Sequence, residues 1–391
     1  MPSRSNTSLE KKPVSPISRV QRRRIKWQTQ LLIFVRSGGR CQFPGCNRYL
    51  LEHPLTKSEG NFAELAHIVA FQERGPRGVQ AKRPADINDT RNLMLLCPTD
   101  HKLIDDHPEK YSRSVLEAYR REHEKRIKHV TDMGPELTTK IVQLKANIRG
   151  KTVAIPAEQI IEAVSPRYPD DAECMIDLTT SHGTGKAFLT TARQTINSDL
   201  HSLFAPHMTR PTPTNISVFA LAPIPVLMYF GSRLSDKVNV GLFQYHRDSK
   251  KWAWKRSGPQ VRFTTRLRQR GTRKSRVALL LSLSGAIDRK ALPRAIDRSF
   301  HVYEITLAGR TPGTDFLRTR QNLADFRSSF RRFLDRLQQN HGQVDEVHLF
   351  PAVPAPIAIA CGHDPLKAHP RLVVYDLDKA GRSFTYQLRI N

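Results

Sequence analysis

The spacing of cysteines and histidines in the first third of the chain constrains the fold more than any other feature. Cys41 and Cys46 flank a Pro-Gly turn, and Cys97 is followed by Asp100 and His101. Three thiols and one further donor match the four ligands of a tetrahedral zinc site, so separate segments must converge on one point. Buried hydrophobic cysteines are the plainer alternative. The turn and the sequence CPTDH favour structural zinc, with Asp100 or His101 as the fourth ligand.

The composition is that of an ordinary globular protein with two or three domains. The chain has 391 residues, of which 39% are hydrophobic and 25% charged. No apolar run approaches the roughly 20 residues that a membrane span needs, and no secretory signal is visible. Five cysteines, three of them in the cluster, indicate metal ligation in a reducing compartment. We therefore expect a cytoplasmic protein that has no membrane span.

The positive charge is concentrated in two stretches. The chain carries 63 Lys and Arg against 36 Asp and Glu, a net charge of +27. Residues 1–50 hold eleven basic residues and one acidic residue, and residues 247–276 hold twelve and one. A field of this kind attracts polyanions, although charge alone specifies no partner. The first stretch includes Arg22, Arg23 and Arg24, which are candidate contacts for a nucleic-acid backbone.

Hydrophobic periodicity divides the chain into two domains. We expect helices at 25–36 and 112–130, a short buried strand around 66–70 and a second apolar run at 92–97. We also expect a strand at 139–150 and a short helix at 156–164, and from about residue 170 onward strands and helices alternate as in α/β proteins. The predicted divisions are a disordered basic tail at 1–24, a first domain at 25–131, a linker at 132–150 and a second domain at 151–391.

The second domain repeats itself. FALAPIPVLMYFG at 219–231 parallels FPAVPAPIAIACG at 350–362, at one constant offset that aligns Gly231 with Gly362. Helical segments at 188–204 and 316–333 also correspond. So do two strands that end at Tyr245 and Tyr375, and the aromatic pairs that follow them, Trp252 and Trp254 against Phe384 and Tyr386. The pattern predicts two α/β units, at about 151–260 and 275–391, related by a pseudo-two-fold axis.

Three glycine-containing loops in this domain suit phosphate groups. They lie at 179–186, 282–285 and 308–314, where we expect strands to end and helices to begin. Ordinary turns and core aromatic residues are the plainer alternative for any single residue. The candidate ligand contacts are Thr180, Ser181, His182, Lys186, Ser284 and Arg310 in the loops, with Trp252, Trp254, Phe350, Pro351 and Tyr375 for base stacking.

The N-terminal pattern resembles the HNH, or ββα-metal, endonuclease finger, an α+β fold with a treble-clef-like zinc site. The resemblance covers about 25–130 and is carried by the Cys41–Cys46 knuckle, AHI around His67 and the run from Asn92 to His101. It implies that His67 is the general base and that Asn92 braces the loop and orients the base or the metal. It also implies that His101 and Asn92 are ligands of a catalytic divalent cation such as Mg²⁺.

Two positions depart from that family. Many relatives place Cys or His where this chain has Asp100, so the zinc ligands would be three cysteines and Asp100, or would include His101. Many relatives have a metal-binding Asp or His just before the first histidine, where this chain has Ala66. The candidates to replace it are Glu64, Asp105, Asp106 and His107, and the sequence leaves the choice open.

The second domain resembles SAVED, a fusion of two CARF-like, Rossmann-like units found in effectors of bacterial CBASS antiphage systems. The carrying residues are LFPAVPAPIAIACG and VVYDLD, together with the duplicated pattern. The resemblance implies an allosteric activator, a cyclic di- or trinucleotide made by a partner nucleotidyltransferase. It also implies that binding drives homo-oligomerisation, to a dimer or tetramer, which switches on the nuclease.

The leading hypothesis is a cyclic-oligonucleotide-activated endonuclease in the bacterial cytoplasm. It would degrade double-stranded DNA with little sequence specificity, use Mg²⁺ for catalysis and zinc for structure, and act by abortive infection. One alternative is a non-enzymatic zinc-finger regulator with a nucleotide sensor, in which His67 and Asn92 would not matter. Another is a modification-dependent restriction endonuclease, which would need no small molecule.

Overall fold

The chain divides into two compact units, with the boundary between Met133 and Gly134. The computed structural model describes residues 24–78, 83–148, 154–170, 173–181, 185–205, 212–378, 380 and 382–390. Arg22, Arg23 and most of the predicted tail lie outside the described residues, whereas Arg24 is described and exposed. In the described part of the chain, no helix is long and apolar enough to cross a membrane.

The first unit has a ββα core between two longer helices. Its elements are α1 (Trp27–Ser37), β1 (Glu64–His67), β2 (Leu93–Leu96), α2 (Pro98–Asp106) and α3 (Arg113–Thr131). The two strands pair antiparallel, from Glu64 opposite Leu96 to His67 opposite Leu93. Both predicted helices are present within two residues of their expected ends, and the predicted strand lies slightly earlier in the chain. The order β1, β2, α2 is the one expected for a ββα-metal finger.

Local chemistry sets the boundaries of these elements. α1 ends at Gly38, whose φ of +63° is a left-handed conformation that glycine adopts without a Cβ clash. α2 begins after Cys97, with Pro98 in the first turn, where a missing N–H costs no hydrogen bond. All of β2 is buried, so it forms the centre of the hydrophobic core of the unit.

The second unit contains two mainly parallel sheets. Its elements are β3 (Thr138–Lys145), α4 (Ala157–Val164), β4 (Tyr168–Pro169), β5 (Cys174–Asp177), α5 (Lys186–Phe204), β6 (Asn215–Leu221), α6 (Ile224–Arg233), β7 (Asn239–Leu242), β8 (Phe263–Gln269), β9 (Val277–Ser282), β10 (His301–Leu307), α7 (Arg320–His341), β11 (Glu346–Ala352), α8 (Ala355–His363), β12 (Arg371–Leu377) and β13 (Phe384–Ile390). The first sheet has the parallel order β5-β3-β6-β7, with β4 beside the start of β3. The second has the parallel order β12-β11-β9-β10, flanked by antiparallel β13 and β8.

The predicted duplication is confirmed by the topology. Each sheet contains four parallel strands in the same arrangement. When these four are counted in chain order, the first lies between the second and the third, and the fourth lies beyond the third. β6 and β11 start at Asn215 and Glu346, and α6 and α8 start at Ile224 and Ala355, so the strand and the helix recur at the same separation along the chain. The sequence repeat therefore marks two copies of one parallel α/β unit.

Two glycines show the two-fold relation between the copies. A Cβ on Gly231 of α6 would overlap the Ile359 carbonyl of α8, and a Cβ on Gly362 of α8 would overlap the Met228 carbonyl of α6. Gly231 and Gly362 are equivalent positions of the repeat, as are Met228 and Ile359. Such a reciprocal contact is what a pseudo-two-fold axis between α6 and α8 requires, and it lets the two backbones approach closely.

Two predicted boundaries and one predicted helix in this unit need correction. The segment 132–150, predicted to be a linker, contains β3, whose buried Ile141, Val142 and Leu144 place it inside the first sheet. β8 already belongs to the second sheet, before the expected start of that half at residue 275. The loop at 282–285 is followed by a short 3-10 turn at Arg289–Ala291 instead of an α-helix.

Candidate functional site

The three N-terminal cysteines converge with one carboxylate. Ligand atoms of Cys41, Cys46, Cys97 and Asp100 all lie within 4.8 Å of one another. The Cys41 and Cys97 thiols donate hydrogen bonds to Asp100 Oδ2 at 3.1 and 3.0 Å. His101, the alternative fourth donor, has its ring nitrogens against other side chains. The geometry therefore places Asp100 in the cluster, and the set of three sulfurs and one oxygen fits a tetrahedral metal ion.

The knuckle is held in place by backbone pairing to β2. Gln42 N–H donates to the Leu95 carbonyl at 2.9 Å, and Leu95 N–H donates to Gln42 Oε1 at 2.7 Å. Cys97 caps the N-terminus of α2, and its own N–H points at Cys41 Sγ at 3.4 Å. The turn that separates Cys41 from Cys46 contains Gly45 at φ +81°. Loop, strand end and helix start thus each contribute ligands from a fixed position.

The pKa values of the thiols and of the carboxyl in this cluster shift in opposite directions. Burial raises the pKa of the Cys41 thiol well above its ordinary value, and it also raises the pKa of Cys46. Burial opposes ionisation of Asp100 too, but hydrogen bonds from Cys46, Cys97 and Cys41 outweigh it and lower the pKa of that carboxyl. A cation would have to displace the thiol protons, as metal binding to cysteine requires.

His67 lies at the end of β1 with one ring nitrogen already engaged. Its Nε2 is 2.9 Å from Asn88 Oδ1, and its ring meets Phe71 edge-on at 6.0 Å. Because an amide oxygen only accepts, this contact is made by a proton on Nε2. In the neutral form of this half-buried ring, Nδ1 is then the nitrogen with the lone pair.

Asn92 is a loop brace. Its Oδ1 accepts from Val69 N–H at 2.9 Å, and its Nδ2 donates to the carbonyls of Val69 and Ile87 at 3.1 and 2.9 Å. The residue is only 6% exposed. The bracing role agrees with the expectation, but the expectation that Asn92 is a metal ligand is wrong for this conformation. Its one oxygen is buried and already bonded to the backbone.

His101 lies between two carboxylates. Its Nδ1 is 2.5 Å from Glu64 Oε2, and its Nε2 is 3.4 Å from Asp105 Oδ2. The other two candidates face elsewhere, since Asp106 pairs with Lys102 at 2.8 Å and His107 lies 3.5 Å from Glu109. Of the four acidic or histidine candidates, the structure therefore brings Glu64 and Asp105 to His101.

Sequence reasoning missed two residues in the segment 72–90. Asn88 holds His67, and Arg77 is 3% exposed and bonds Ile68, Ile104 and Asp105. An arginine in a Gly-Pro-Arg-Gly turn has no periodicity that would indicate burial. Asn88 and Asp89 are turn formers, and only the tertiary structure distinguishes an Asn that terminates a turn from one that contacts the His67 ring.

The predicted phosphate-binding residues lie after the carboxyl ends of parallel strands. Thr180 and Ser181 follow β5, Ser284 follows β9 and Arg310 follows β10, and each is exposed or partly exposed. Lys186 is exposed at the first position of α5. His182 lies outside the described residues. Arg310 also pairs with Asp315 at 3.4 Å, so its charge is partly balanced.

The expected base-stacking aromatics are mostly core residues. Trp252 is 1% exposed, and Phe350 is fully buried and stacks on Tyr375 at 4.5 Å. Pro351 is buried beside them. These four assignments are wrong, because the rings already pack on protein. Trp254 is partly buried, and its indole N–H donates to the Leu242 carbonyl at 3.0 Å.

The repeat explains this burial. Phe219 and Phe350 are equivalent positions of the repeat and occupy matching places in the two sheets. Phe219 stacks on Phe243 at 4.6 Å and meets Trp252 edge-on at 5.4 Å. Phe350 stacks on Tyr375 and meets Phe384 edge-on at 5.3 Å. The repeated aromatics therefore form one packing motif twice.

Part of the second basic stretch lies on an edge strand. β8 pairs with β10 on one side only, its Arg266 and Arg268 are exposed, and Arg270 is exposed just after its last residue. Arg268 lies 3.6 Å from Glu304. Within the described ranges, no acidic side chain lies within ion-pair distance of Arg266 or Arg270. This edge is thus a strongly positive surface.

Two protein families match separate parts of the chain. The HNH endonuclease family matches residues 41–108, the segment that contains the cysteine cluster, His67 and His101. The SMODS-associated and fused to various effectors sensor domain, SAVED, matches residues 198–390. The chain therefore combines an HNH segment with a SAVED segment. Its HNH domain supports a nuclease activity that uses a divalent metal, and its cysteine cluster is a candidate zinc site.

Solved structures similar to the HNH–SAVED chain are sensor-containing receptors. The Acinetobacter baumannii Cap4 SAVED/CARF-domain containing receptor with the cyclic trinucleotide 2′3′3′-cAAA is 14% identical, with a TM-score of 0.45, over 78% of this chain and 64% of that chain. The Moraxella osloensis Cap4 SAVED/CARF-domain containing receptor is 12% identical, with a TM-score of 0.40, over 75% and 60%. This chain therefore spans less than two thirds of their length. No curated protein is significantly similar to it.

Proposed function

We propose that this HNH–SAVED protein is a DNA endonuclease that a cyclic oligonucleotide switches on in the bacterial cytoplasm, as an antiphage effector. The observation that carries the nuclease part is the set His67, Glu64 and His101 on one ββα unit within an HNH match. The SAVED match and the duplicated sheets support the sensor part.

His67 has the geometry of a general base. With Nε2–H held by Asn88, Nδ1 takes the proton of the attacking water. As that O–H bond breaks, the water oxygen bonds the phosphorus, and the P–O bond to the leaving sugar oxygen breaks. Asn92 keeps the loop after β1 in place through its two bonds to Val69, so the ring stays oriented during proton transfer.

Two metal sites fit the residues present. Cys41, Cys46, Cys97 and Asp100 would hold a structural zinc. Glu64 and His101 would hold a divalent cation such as Mg²⁺. When bound, that cation offsets the negative charge that develops on the scissile phosphate and the leaving oxygen.

The sensor would bind a cyclic di- or trinucleotide from a partner nucleotidyltransferase. Thr180, Ser181, Lys186, Ser284 and Arg310 follow strand ends, where ligands of parallel α/β sheets bind. Two copies of one unit suit a ligand that is itself nearly two-fold. Ligand binding would then favour a dimer or tetramer, in which the HNH domains cut double-stranded DNA with little sequence preference.

A histidine exchange tests the nuclease. Plasmid DNA is incubated with Mg²⁺ and a panel of cyclic di- and trinucleotides, using the full-length protein, His67→Ala and His129→Ala. Loss of the general base should slow cleavage at least ~100-fold. His129 is exposed at the end of α3, so His129→Ala should cut normally. Undiminished cutting by His67→Ala would overturn the assignment.

The same panel separates the alternatives. Molecular mass and cleavage are measured with and without each nucleotide, and cleavage also with EDTA. We expect cleavage that EDTA abolishes, and an increase in molecular mass with one of the nucleotides. DNA binding without any cleavage would indicate a zinc-finger regulator, and cutting of modified DNA without a nucleotide would indicate a restriction enzyme.

A further inference from the structure

Arg77 is a charged side chain that the fold buries beside His101. Its Nε donates to the Ile68 carbonyl at 2.8 Å, its Nη1 to the Ile104 carbonyl at 2.6 Å, and its Nη2 to Asp105 Oδ1 at 2.8 Å. The Arg77 side chain is 1% exposed. One guanidinium therefore joins the end of β1 to the C-terminal turn of α2.

This placement is costly on two counts. Taking a guanidinium out of water carries a desolvation penalty that a single carboxylate often fails to recover, so a buried ion pair is weak evidence for stability. Arg77 also has φ +60°, which few residues other than glycine adopt. A hydrophobic residue could fill the space without the first cost. The arginine is better explained by what it does to its carboxylate partner.

The two oxygens of Asp105 have different partners. Oδ1 accepts from Arg77, and Oδ2 lies 3.4 Å from His101 Nε2. The Asp105 side chain is 38% exposed, so without the arginine it is free to turn toward solvent or toward a bound cation. His101 Nδ1, on the other side of the ring, faces Glu64 at 2.5 Å.

We propose that Arg77 is a positioning residue for the catalytic metal site, an inference that rests on the proposed nuclease function. By fixing Asp105, it keeps His101 Nε2–H directed at that carboxylate and Nδ1 directed at Glu64. Nδ1 is then the atom that binds the cation. A carboxylate on the remaining N–H of a metal-binding histidine fixes its tautomer and increases its basicity.

The test measures metal affinity directly. Full-length His67→Ala protein with zinc bound at the cysteine cluster is titrated with Mn²⁺ by calorimetry. The titration is repeated on proteins that also carry Arg77→Met, Asp105→Asn or both substitutions. Outer partners of metal-binding histidines contribute about 10- to 100-fold to affinity, so each single change should weaken Mn²⁺ binding by about tenfold or more. Because both act through one contact, the double variant should be little weaker than either single variant.

Arg83 provides a matched control. It lies in the same loop and donates to the carbonyls of Ala70 and Phe71, at 3.3 and 2.8 Å, without touching Asp105. Arg83→Met should leave Mn²⁺ affinity unchanged. In the His67-containing protein, Arg77→Met should raise the Mg²⁺ concentration for half-maximal cleavage more than it lowers the rate at saturating Mg²⁺.

Several outcomes would overturn the proposal. Unchanged Mn²⁺ affinity in Arg77→Met shows that the arginine only braces the fold. A loss in Asp105→Asn that Arg77→Met does not share shows that Asp105 binds the metal itself. If Arg77→Met fails to fold, the half-exposed Asp105→Asn still decides, since normal affinity there removes the proposed link. Failure of the nuclease assignment is separate, because it appears as cutting by His67→Ala.

Discussion

Neighbouring residues of one helix serve two different sites. Asp100 and His101 are consecutive in α2, and consecutive side chains of a helix point about 100° apart. Asp100 therefore faces the thiols of Cys41 and Cys97, while His101 faces Glu64. Asp105 is four residues after His101, which places both on one side of the helix. This divergence decides which residue joins the cysteine cluster and which lies beside Glu64.

Zinc content distinguishes the two residues. We expect the intact protein to carry about one tightly bound zinc ion, as four-ligand structural sites do. Asp100→Ala should lose most of that zinc and melt at a lower temperature, because structural metal binding contributes folding free energy. His101→Ala should keep the zinc and lose cleavage. Elemental analysis and thermal melting measure both effects.

A cysteine of the second unit gives the control. Cys174 in β5 is partly buried and far along the chain from the cluster, so Cys174→Ser should retain full zinc. Full zinc in Asp100→Ala, or its loss in His101→Ala, would contradict the assignment of Asp100.

Among whole elements, α6 and α8 determine how the two sensor copies join. Their backbones approach at Gly231 and Gly362, in a reciprocal contact between equivalent positions. Both helices are buried along most of their length. Each helix therefore packs against its own equivalent from the other copy. A small residue is needed at the crossing, because a side chain there would meet a backbone carbonyl that cannot move alone.

Adding one methyl group at this crossing should destabilise the sensor unit. Overpacking of a close contact typically costs about 1–3 kcal/mol, and we expect Gly231→Ala and Gly362→Ala each to fall in that range in urea unfolding of the full chain. The double variant should cost less than the sum, since one separation of the helices accommodates both methyl groups.

Gly285 is the matched control for this contact. No atom lies within 4 Å of a Cβ placed there, and its φ lies outside the left-handed region. The free energy of unfolding of Gly285→Ala should therefore lie within about 0.5 kcal/mol of that of the parent protein, as it usually does for surface substitutions. Equal stability of Gly362→Ala and Gly285→Ala would show that the helix crossing tolerates a side chain.

For the molecule as a whole, the positive charge is the feature that favours nucleic acid as a partner. The net charge of +27 is far from neutral, and part of it is concentrated along the exposed edge of β8. Arg266 and Arg268 lie on β8, Arg270 follows its last residue, and all three side chains are exposed. Charged edge strands also prevent unwanted sheet pairing, so a positive edge alone does not establish a DNA contact.

Salt dependence of DNA binding tests that edge. In the His67→Ala background, log Kd for a labelled duplex is measured against log salt concentration. Each lost phosphate contact lowers the slope by about 0.9, so changing Arg266, Arg268 and Arg270 together to Gln should lower it by about 2–3. The affinity should fall at least about tenfold at physiological salt.

A control with the same net charge isolates the position of the change. Arg331, Arg332 and Arg336 are exposed on α7, and their joint replacement by Gln also removes three positive charges. That variant should change the slope by less than about 1. Equal salt-dependence slopes in the two triple variants would mean that DNA binding depends on overall charge and involves no contact at β8.

The sequence by itself determined the division into a metal-binding finger and a duplicated α/β domain. Ligand spacing within short segments and a repeat with one constant offset can both be recognised in the amino-acid sequence alone. Cys41, Cys46, Cys97, His67 and His101 could be selected because their residue types are rare and their spacing is chemically restrictive. Both family matches agree with this division.

Only the tertiary structure decided between chemically equivalent candidates. Helix geometry separated Asp100 from His101, and packing turned Trp252 and Phe350 from possible ligand contacts into core residues. Arg77 had no detectable signal, because its burial depends on carbonyls and a carboxylate up to 28 positions away in the sequence. Contacts between distant segments are created by folding. They therefore decide which of several suitable side chains reach the site.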